Sequence, residues 1–134
     1  MKRSILSKLI EWKGKKNRKP LIINGARQVG KTYILREFGS NYYEKMAYVN
    51  CDKNKMLEKI FSQDYNISRI LLSLSAILHV NIEPDNTLIV FDEIQESPTV
   101  LNSLKYFCED APQYHVAVAG SLLGISLHRD TSFP

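Results

Sequence analysis

The sequence predicts an α/β fold in which a mostly parallel sheet is sandwiched between two layers of helices. Three observations carry this expectation. Short apolar, β-branched runs alternate with stretches of helical periodicity. The run Thr87-Leu88-Ile89-Val90-Phe91 is apolar almost throughout, as in a strand covered on both faces. Between the run Leu21-Ile22-Ile23 and the next helical stretch lies Gly25-Ala26-Arg27-Gln28-Val29-Gly30-Lys31-Thr32, a complete G-x-x-x-x-G-K-[ST] phosphate-binding pattern in the strand, loop, helix order it needs. With 134 residues, 44% of them hydrophobic and 24% charged, the chain is long enough to bury one core. Residues 1–19 are expected to form an amphipathic helix and basic connector, and residues 20–134 the core.

In order, Ser4 is expected to cap a helix carrying Ile5, Leu6, Leu9 and Ile10 on one face, with Gly14 as its stop. The basic connector Lys15 to Pro20 leads into the first strand, Leu21 to Ile23. Thr32 to Phe38 reads as the helix after the phosphate loop, closed by Gly39, and Met46 to Asn50 as the second strand. Asp52 is placed to cap a short helix bearing Met56, Leu57, Ile60 and Phe61. Ile67, Ile70, Leu71, Leu74, Ile77 and Leu78 keep the spacing of one buried helical face, with His79 a helix-terminal cation or surface residue. Pro84-Asp85-Asn86 makes a turn before the strand Thr87 to Phe91. Ser97-Pro98 pairs an N-cap with proline at the first helical position, opening a helix with Val100, Leu101, Leu104 and Phe107 inward. A last strand, Tyr114 to Ala119, runs into Gly120-Ser121.

The chemistry follows from two stretches. Two glycines let the loop turn its N–H groups inward toward an anion at the positive end of the following helix, and the expected anion is a nucleotide polyphosphate. There the Lys31 ammonium reaches the β- and γ-phosphates, and the Thr32 hydroxyl binds the Mg²⁺ that bridges them. Asp92-Glu93 follows the apolar strand with no gap, so both carboxylates emerge at its carboxyl end, where open α/β sheets bind ligands. Asp92 suits the Mg²⁺ shell opposite Thr32, and Glu93 is then free to act as general base on a water attacking the γ-phosphate.

GARQVGKT, LIVFDEIQESP and VAVAGSLLG together resemble a family of prokaryotic AAA-like P-loop ATPases, from about Arg18 onward. The resemblance implies a P-loop NTPase sheet of strand order five-one-four-three-two, with ATP and Mg²⁺ as cofactors. Gly25 to Thr32, Asp92-Glu93-Ile94-Gln95 and Gly120-Ser121 stand at the family's motif positions. Ser121 then takes the place of the polar residue sensing the γ-phosphate, or is simply a turn serine after Gly120. Tyr33 stands where many such loops carry a small hydroxyl residue on the α-phosphate; that contact is missing or remade, and Tyr33 stays among the binding residues. Arg129 is an exposed loop arginine, or an arginine finger acting in trans. The chain stops at Phe133-Pro134, where the family continues into a fifth strand, a helical lid and a carboxy-terminal domain. It therefore reads as truncated before the fifth strand, with an open edge at Leu21 to Ile23 inviting a homo-oligomer.

Three function classes remain: Mg²⁺-dependent ATP hydrolysis, a nucleotide-gated switch with little turnover, and, less well supported, a GTPase or small-molecule kinase. Against the last, no N-K-x-D guanine-reading motif occurs, since Met56-Leu57 follows Asn54-Lys55. The net charge of +4 is concentrated in Lys2, Arg3, Lys8, Lys13, Lys15, Lys16, Arg18 and Lys19, which a solvated helix and linker explain as readily as contact with nucleic acid. The apolar stretch Ile70 to Val80 is interrupted by Ser73, Ser75 and His79 and is too short for a bilayer, and the amino terminus lacks a secretory pattern, so a cytoplasmic protein is expected. Cys51 and Cys108 have no metal-ligand spacing and are expected as buried thiols.

Overall fold

Side-chain alternation along two central strands divides the molecule into three layers. The computed structural model describes residues 2–16, 18–24 and 29–121. Its helices are α1 (Lys2–Lys13), α2 (Val29–Tyr42), α3 (Lys55–Gln63), α4 (Ile67–Leu78) and α5 (Pro98–Asp110); its strands are β1 (Leu21–Asn24), β2 (Lys45–Asn50), β3 (Thr87–Asp92) and β4 (His115–Gly120). A short 3-10 turn, Ile94–Glu96, joins β3 to α5. The four strands are all parallel, in the order β1-β4-β3-β2. This is the one-four-three-two part of the expected order, and among the described residues β1 is an edge strand.

Every residue of β3 and β4 is buried. Successive strand side chains point to opposite faces, so each central strand supplies both cores. Leu88, Val90, Ala117 and Ala119 pack with Leu9 and Trp12 of α1 and Leu35 and Phe38 of α2. Ile89, Phe91, Val116 and Val118 pack with Leu57, Ile60 and Phe61 of α3, Ile70 and Leu74 of α4, and Leu104 and Phe107 of α5. Each fully buried Leu or Phe contributes about 1.5–3 kcal/mol, which makes these two faces the main source of stability.

The helix ends depart from expectation for local reasons. α1 begins at Lys2, so Ser4 lies inside it and is not its cap, and Ile10 is exposed while Leu9 and Trp12 face the core. Trp12 is pinned by its indole N–H, which donates to the Lys19 carbonyl at 2.6 Å and ties the helix to the connector. α2 runs through Gly39 to Tyr42 instead of stopping there. A Cβ on Gly39 would lie 2.5 Å from Met46 Sδ and 3.3 Å from Leu88 Cδ2, so that glycine permits close packing on the sheet. Asn54, not Asp52, caps α3, its side chain accepting from Leu57 N at 3.0 Å, and Met56 is exposed. α4 buries Ile67, Ile70, Leu71 and Leu74 as its periodicity predicts, and ends at His79 in the left-handed region with φ 56°. Ser97 caps α5 as expected, its Oγ accepting from Val100 N, while also donating to Glu58 of α3. Cys51 is buried and Cys108 only partly so.

Candidate functional site at the carboxyl end of the sheet

Strand register brings the site residues together. Asn24 pairs with Gly120 across β1 and β4, and Asn50 pairs with Asp92 across β2 and β3. Thus the residue before Gly25, the residue before Ser121, and the acidic pair all lie at the carboxyl edge of one parallel sheet. Gly25, Ala26, Arg27 and Gln28 lie outside the described residues, as does Arg129. Val29, Gly30, Lys31 and Thr32 form the first turn of α2, the helix that follows β1. Backbone N–H groups at such a helix start have no partner within the helix and attract anions. Tyr33, next along, is half exposed, and its hydroxyl donates to Glu37 Oε2 at 3.2 Å, one turn further on.

Asp92 is only 8% exposed and ends β3. Its Oδ1 accepts from the Glu93 N–H at 2.9 Å, and its Oδ2 accepts from the Tyr48 hydroxyl at 2.5 Å. Tyr48 comes from β2, and the Arg36 guanidinium of α2 lies 4.3 Å from its ring centre. Burial, reinforced by the hydrogen bond to Asp92, pushes the Tyr48 phenol up to about 12, so at neutral pH it remains a donor. A chain of contacts therefore runs from α2, one turn beyond Thr32, through Tyr48 to the Asp92 carboxylate. Beneath it, the Cys51 N–H donates to the Asp92 carbonyl at 2.9 Å, and burial followed by the nearby Asp92, Glu58 and Glu93 charges pushes the Cys51 thiol up to about 12. That sulfur is an inert core group.

Glu93 leaves the strand in the left-handed region, φ 54° and ψ 47°. The turn points its carboxylate along the sheet edge, where Oε1 accepts from Gln95 Nε2 at 2.7 Å. The Gln95 Oε1 in turn accepts from the Ser121 N–H at 3.0 Å, immediately after β4. Ile94, fully buried between them, anchors the turn.

Asp92, Glu93 and Ser121 thus come within one hydrogen-bonded edge, as their positions in the sequence suggest. The sequence does not reveal Tyr48 or Arg36, because each lies in an element whose pattern reports only burial. Gln95 is visible only as part of the motif Asp92-Glu93-Ile94-Gln95. Among the described residues no group of three or more His, Cys, Asp and Glu side chains is arranged to hold a metal ion, and no helix is long and apolar enough to cross a membrane.

An all-parallel β1-β4-β3-β2 sheet between helical layers, with a helix starting just after β1 and an acidic pair closing β3, is a P-loop NTPase-like sandwich. A model of the AAA domain family matches residues 17–133. The chain belongs to that family and is a nucleotide-binding, AAA-like ATPase domain. Neither the curated proteins nor the solved structures compared with it gave a match.

Proposed function

We propose that residues 20–134 form an ATPase core that hydrolyses ATP with Mg²⁺ by in-line attack of water on the γ-phosphate, preceded by the helix and basic connector of residues 1–19. The observation that carries this reading is the adjacency of Asp92 and Glu93 at the end of a buried central strand, one held by two donors and the other turned away from it. Gly25, Ala26, Arg27, Gln28, Val29, Gly30, Lys31, Thr32 and Tyr33 cradle the polyphosphate, with Lys31 on the β- and γ-oxygens. The donor set suits Mg²⁺, since the Asp92 carboxylate and Thr32 hydroxyl are hard oxygen ligands and the substrate phosphates supply the others. Bound there, Mg²⁺ would neutralise charge growing on the β- and γ-oxygens. The Tyr48 and Glu93 N–H bonds hold the Asp92 carboxylate in one orientation. Glu93 takes the proton from the attacking water, and the Ser121 hydroxyl meets the γ-phosphate.

Replacing Glu93→Gln tests this. Mg²⁺·ATP affinity should stay within about twofold while turnover falls by about a hundredfold or more. Undiminished phosphate release would overturn the assignment of Glu93 as base. A nucleotide-gated switch is the second reading, favoured by the hydrogen bond that ties Glu93 to Gln95. Tight ATP binding without phosphate release would select it, and GTP competing equally with ATP would argue for another nucleotide class.

A further inference from the structure

We propose that Gln95 is the positioning residue that couples the end of β4 to Glu93, so that contact at Ser121 is transmitted to the general base. The inference rests on the reading of Glu93 and Ser121 given above. Its geometric basis is independent of that reading.

Three observations converge on one carboxamide. Gln95 Nε2 donates to Glu93 Oε1 at 2.7 Å, and Gln95 Oε1 accepts from Ser121 N at 3.0 Å. The orientation of the amide is dictated by its partners: the Ser121 N–H requires an acceptor and the Glu93 carboxylate requires a donor. Asn and Gln carry a separate donor and acceptor side by side on one planar tip, and Gln has the longer reach. The third observation is Gly120. A Cβ built there would lie 2.2 Å from Gln95 Oε1, 3.0 Å from Ile94 N and 3.2 Å from Ile94 Cγ2. The amide thus lies against bare backbone, in space that any larger residue at position 120 would occupy.

The bridge also crosses between elements. Gln95 sits in the 3-10 turn after β3, whereas Ser121 follows β4, which pairs with β1 next to the phosphate loop. Displacement of the Ser121 backbone by a γ-phosphate would alter the acceptor side of the amide and, through it, the donor held by Glu93. Linked hydrogen bonds polarise one another, which gives such a relay a physical means of transmission. In this arrangement the base is held toward β4, and nucleotide contact at β4 is what releases or redirects it.

The test uses the whole chain, with NMR reporters at the Ser121 amide and at the Glu93 carboxyl carbon, assigned with Glu93→Gln. Without nucleotide, Gln95→Met removes both bonds; both reporters should move, and Ser121 amide exchange should quicken by about tenfold. Gln95→Glu keeps an acceptor for Ser121 but sets a second carboxylate against Glu93, so the Glu93 reporter should move further than in Gln95→Met. Unchanged reporters in folded Gln95→Met would overturn the bridge. With Mg²⁺·ATPγS, both reporters should shift in the unsubstituted chain, and in Gln95→Met the Glu93 shift should shrink to the part that direct contact with the nucleotide gives; a Glu93 shift undiminished in that variant would overturn the relay. Should Glu93→Gln retain turnover, the general-base reading fails, and these reporters still decide the bridge. Should ATPγS not bind at all, the nucleotide-site reading and the relay fall together, leaving the bridge to stand or fall on the nucleotide-free spectra. Gly120→Ala, which pushes the amide away from the backbone, should reproduce the Gln95→Met pattern; a Gly120→Ala protein with both reporters unmoved would also count against it.

Discussion

Two glycines that look alike in the sequence should respond unequally to the same added methyl group. In Gly120→Ala the new Cβ meets Gln95 Oε1 at 2.2 Å and the Ile94 backbone nitrogen at 3.0 Å. Neither can yield freely, because the amide is bonded at both ends and the nitrogen belongs to a turn anchored by fully buried Ile94. Overpacking of this kind costs about 1–3 kcal/mol. Losing the Ser121 to Gln95 hydrogen bond adds about 1 kcal/mol. Restricting the unfolded chain returns about 0.4–1 kcal/mol. The net loss is about 2 kcal/mol. For Gly39→Ala the closest atom is Met46 Sδ at 2.5 Å, near the free end of an unbranched side chain, with Leu88 Cδ2 at 3.3 Å. Replacing a mid-helix glycine gains about 1 kcal/mol, which largely offsets the shift of Met46, so the net change stays within about 1 kcal/mol. Urea unfolding followed by tyrosine and tryptophan fluorescence measures both; with a slope of about 2 kcal/mol/M, Gly120→Ala should lower the midpoint by about 1 M. Equal midpoints for the two variants, or a Gly120→Ala protein as stable as the parent, would refute the close approach of Gln95 to β4.

Two further outcomes follow from buried polar groups. His115, 2% exposed, is bonded to Tyr43 at 2.6 Å and to Asp85 at 3.0 Å. Burial lowers its pKa, with Arg18 and Lys13 acting in the same sense and Asp85 opposing. Below about pH 6.5 the unfolded chain therefore takes up a proton that the folded chain resists, so the stability His115 contributes is complete above that pH and declines as the pH falls through it. Thermal unfolding between pH 7.5 and 5 should show this loss, and His115→Gln should flatten it; an identical slope in the variant would contradict the assignment. Tyr48→Phe removes the donor to the buried Asp92 carboxylate and should lower stability by about 1.5–3 kcal/mol, read as a midpoint shift in the same urea assay. An unchanged midpoint would mean that the hydroxyl contributes nothing to holding Asp92.

Much of this architecture was legible because burial leaves a periodic trace. The apolar runs from Met46, Thr87 and Tyr114 located β2, β3 and β4 within about one residue at each end, since strands covered on one or both faces have few polar alternatives. Ile67 to Leu74 announced α4 in the same way. Glycine misled where its reason for being there was tertiary. Gly39 carries the punctuation of a helix stop, yet it sits inside α2 where Met46 and Leu88 pass close by, which no local pattern encodes. Caps were ambiguous wherever two candidates stood together, as with Asp52 and Asn54; the side chain that reached Leu57 N decided it. At the site, Asp92 and Glu93 were visible because they directly follow a buried strand, at the carboxyl edge where open α/β sheets bind ligands, in a chain that also carries the Gly25 to Thr32 pattern. Tyr48, Arg36 and Gln95 were not visible as a set. Their significance lies in register and turn geometry, and the bond from Gln95 to Ser121 spans two elements that only folding brings together.

The sheet order has a consequence for synthesis. β1 is the first strand made, but its hydrogen-bonded neighbour, β4, is the last of the four. While a ribosome extends the chain, the segment from Leu21 to Asn24 has no pairing surface until residues near Gly120 have left the exit tunnel. The cost of closing so long a loop is met only when Leu21 to Asn24 align with Ala117 to Gly120. Until then β2, β3 and the helices that cover them can assemble, while the nascent chain has its phosphate-loop stretch and its acidic pair on pieces not yet joined. On the function proposed above, binding needs β1 and β4 paired, so a nucleotide would stabilise chains that have joined these two strands over chains that have not.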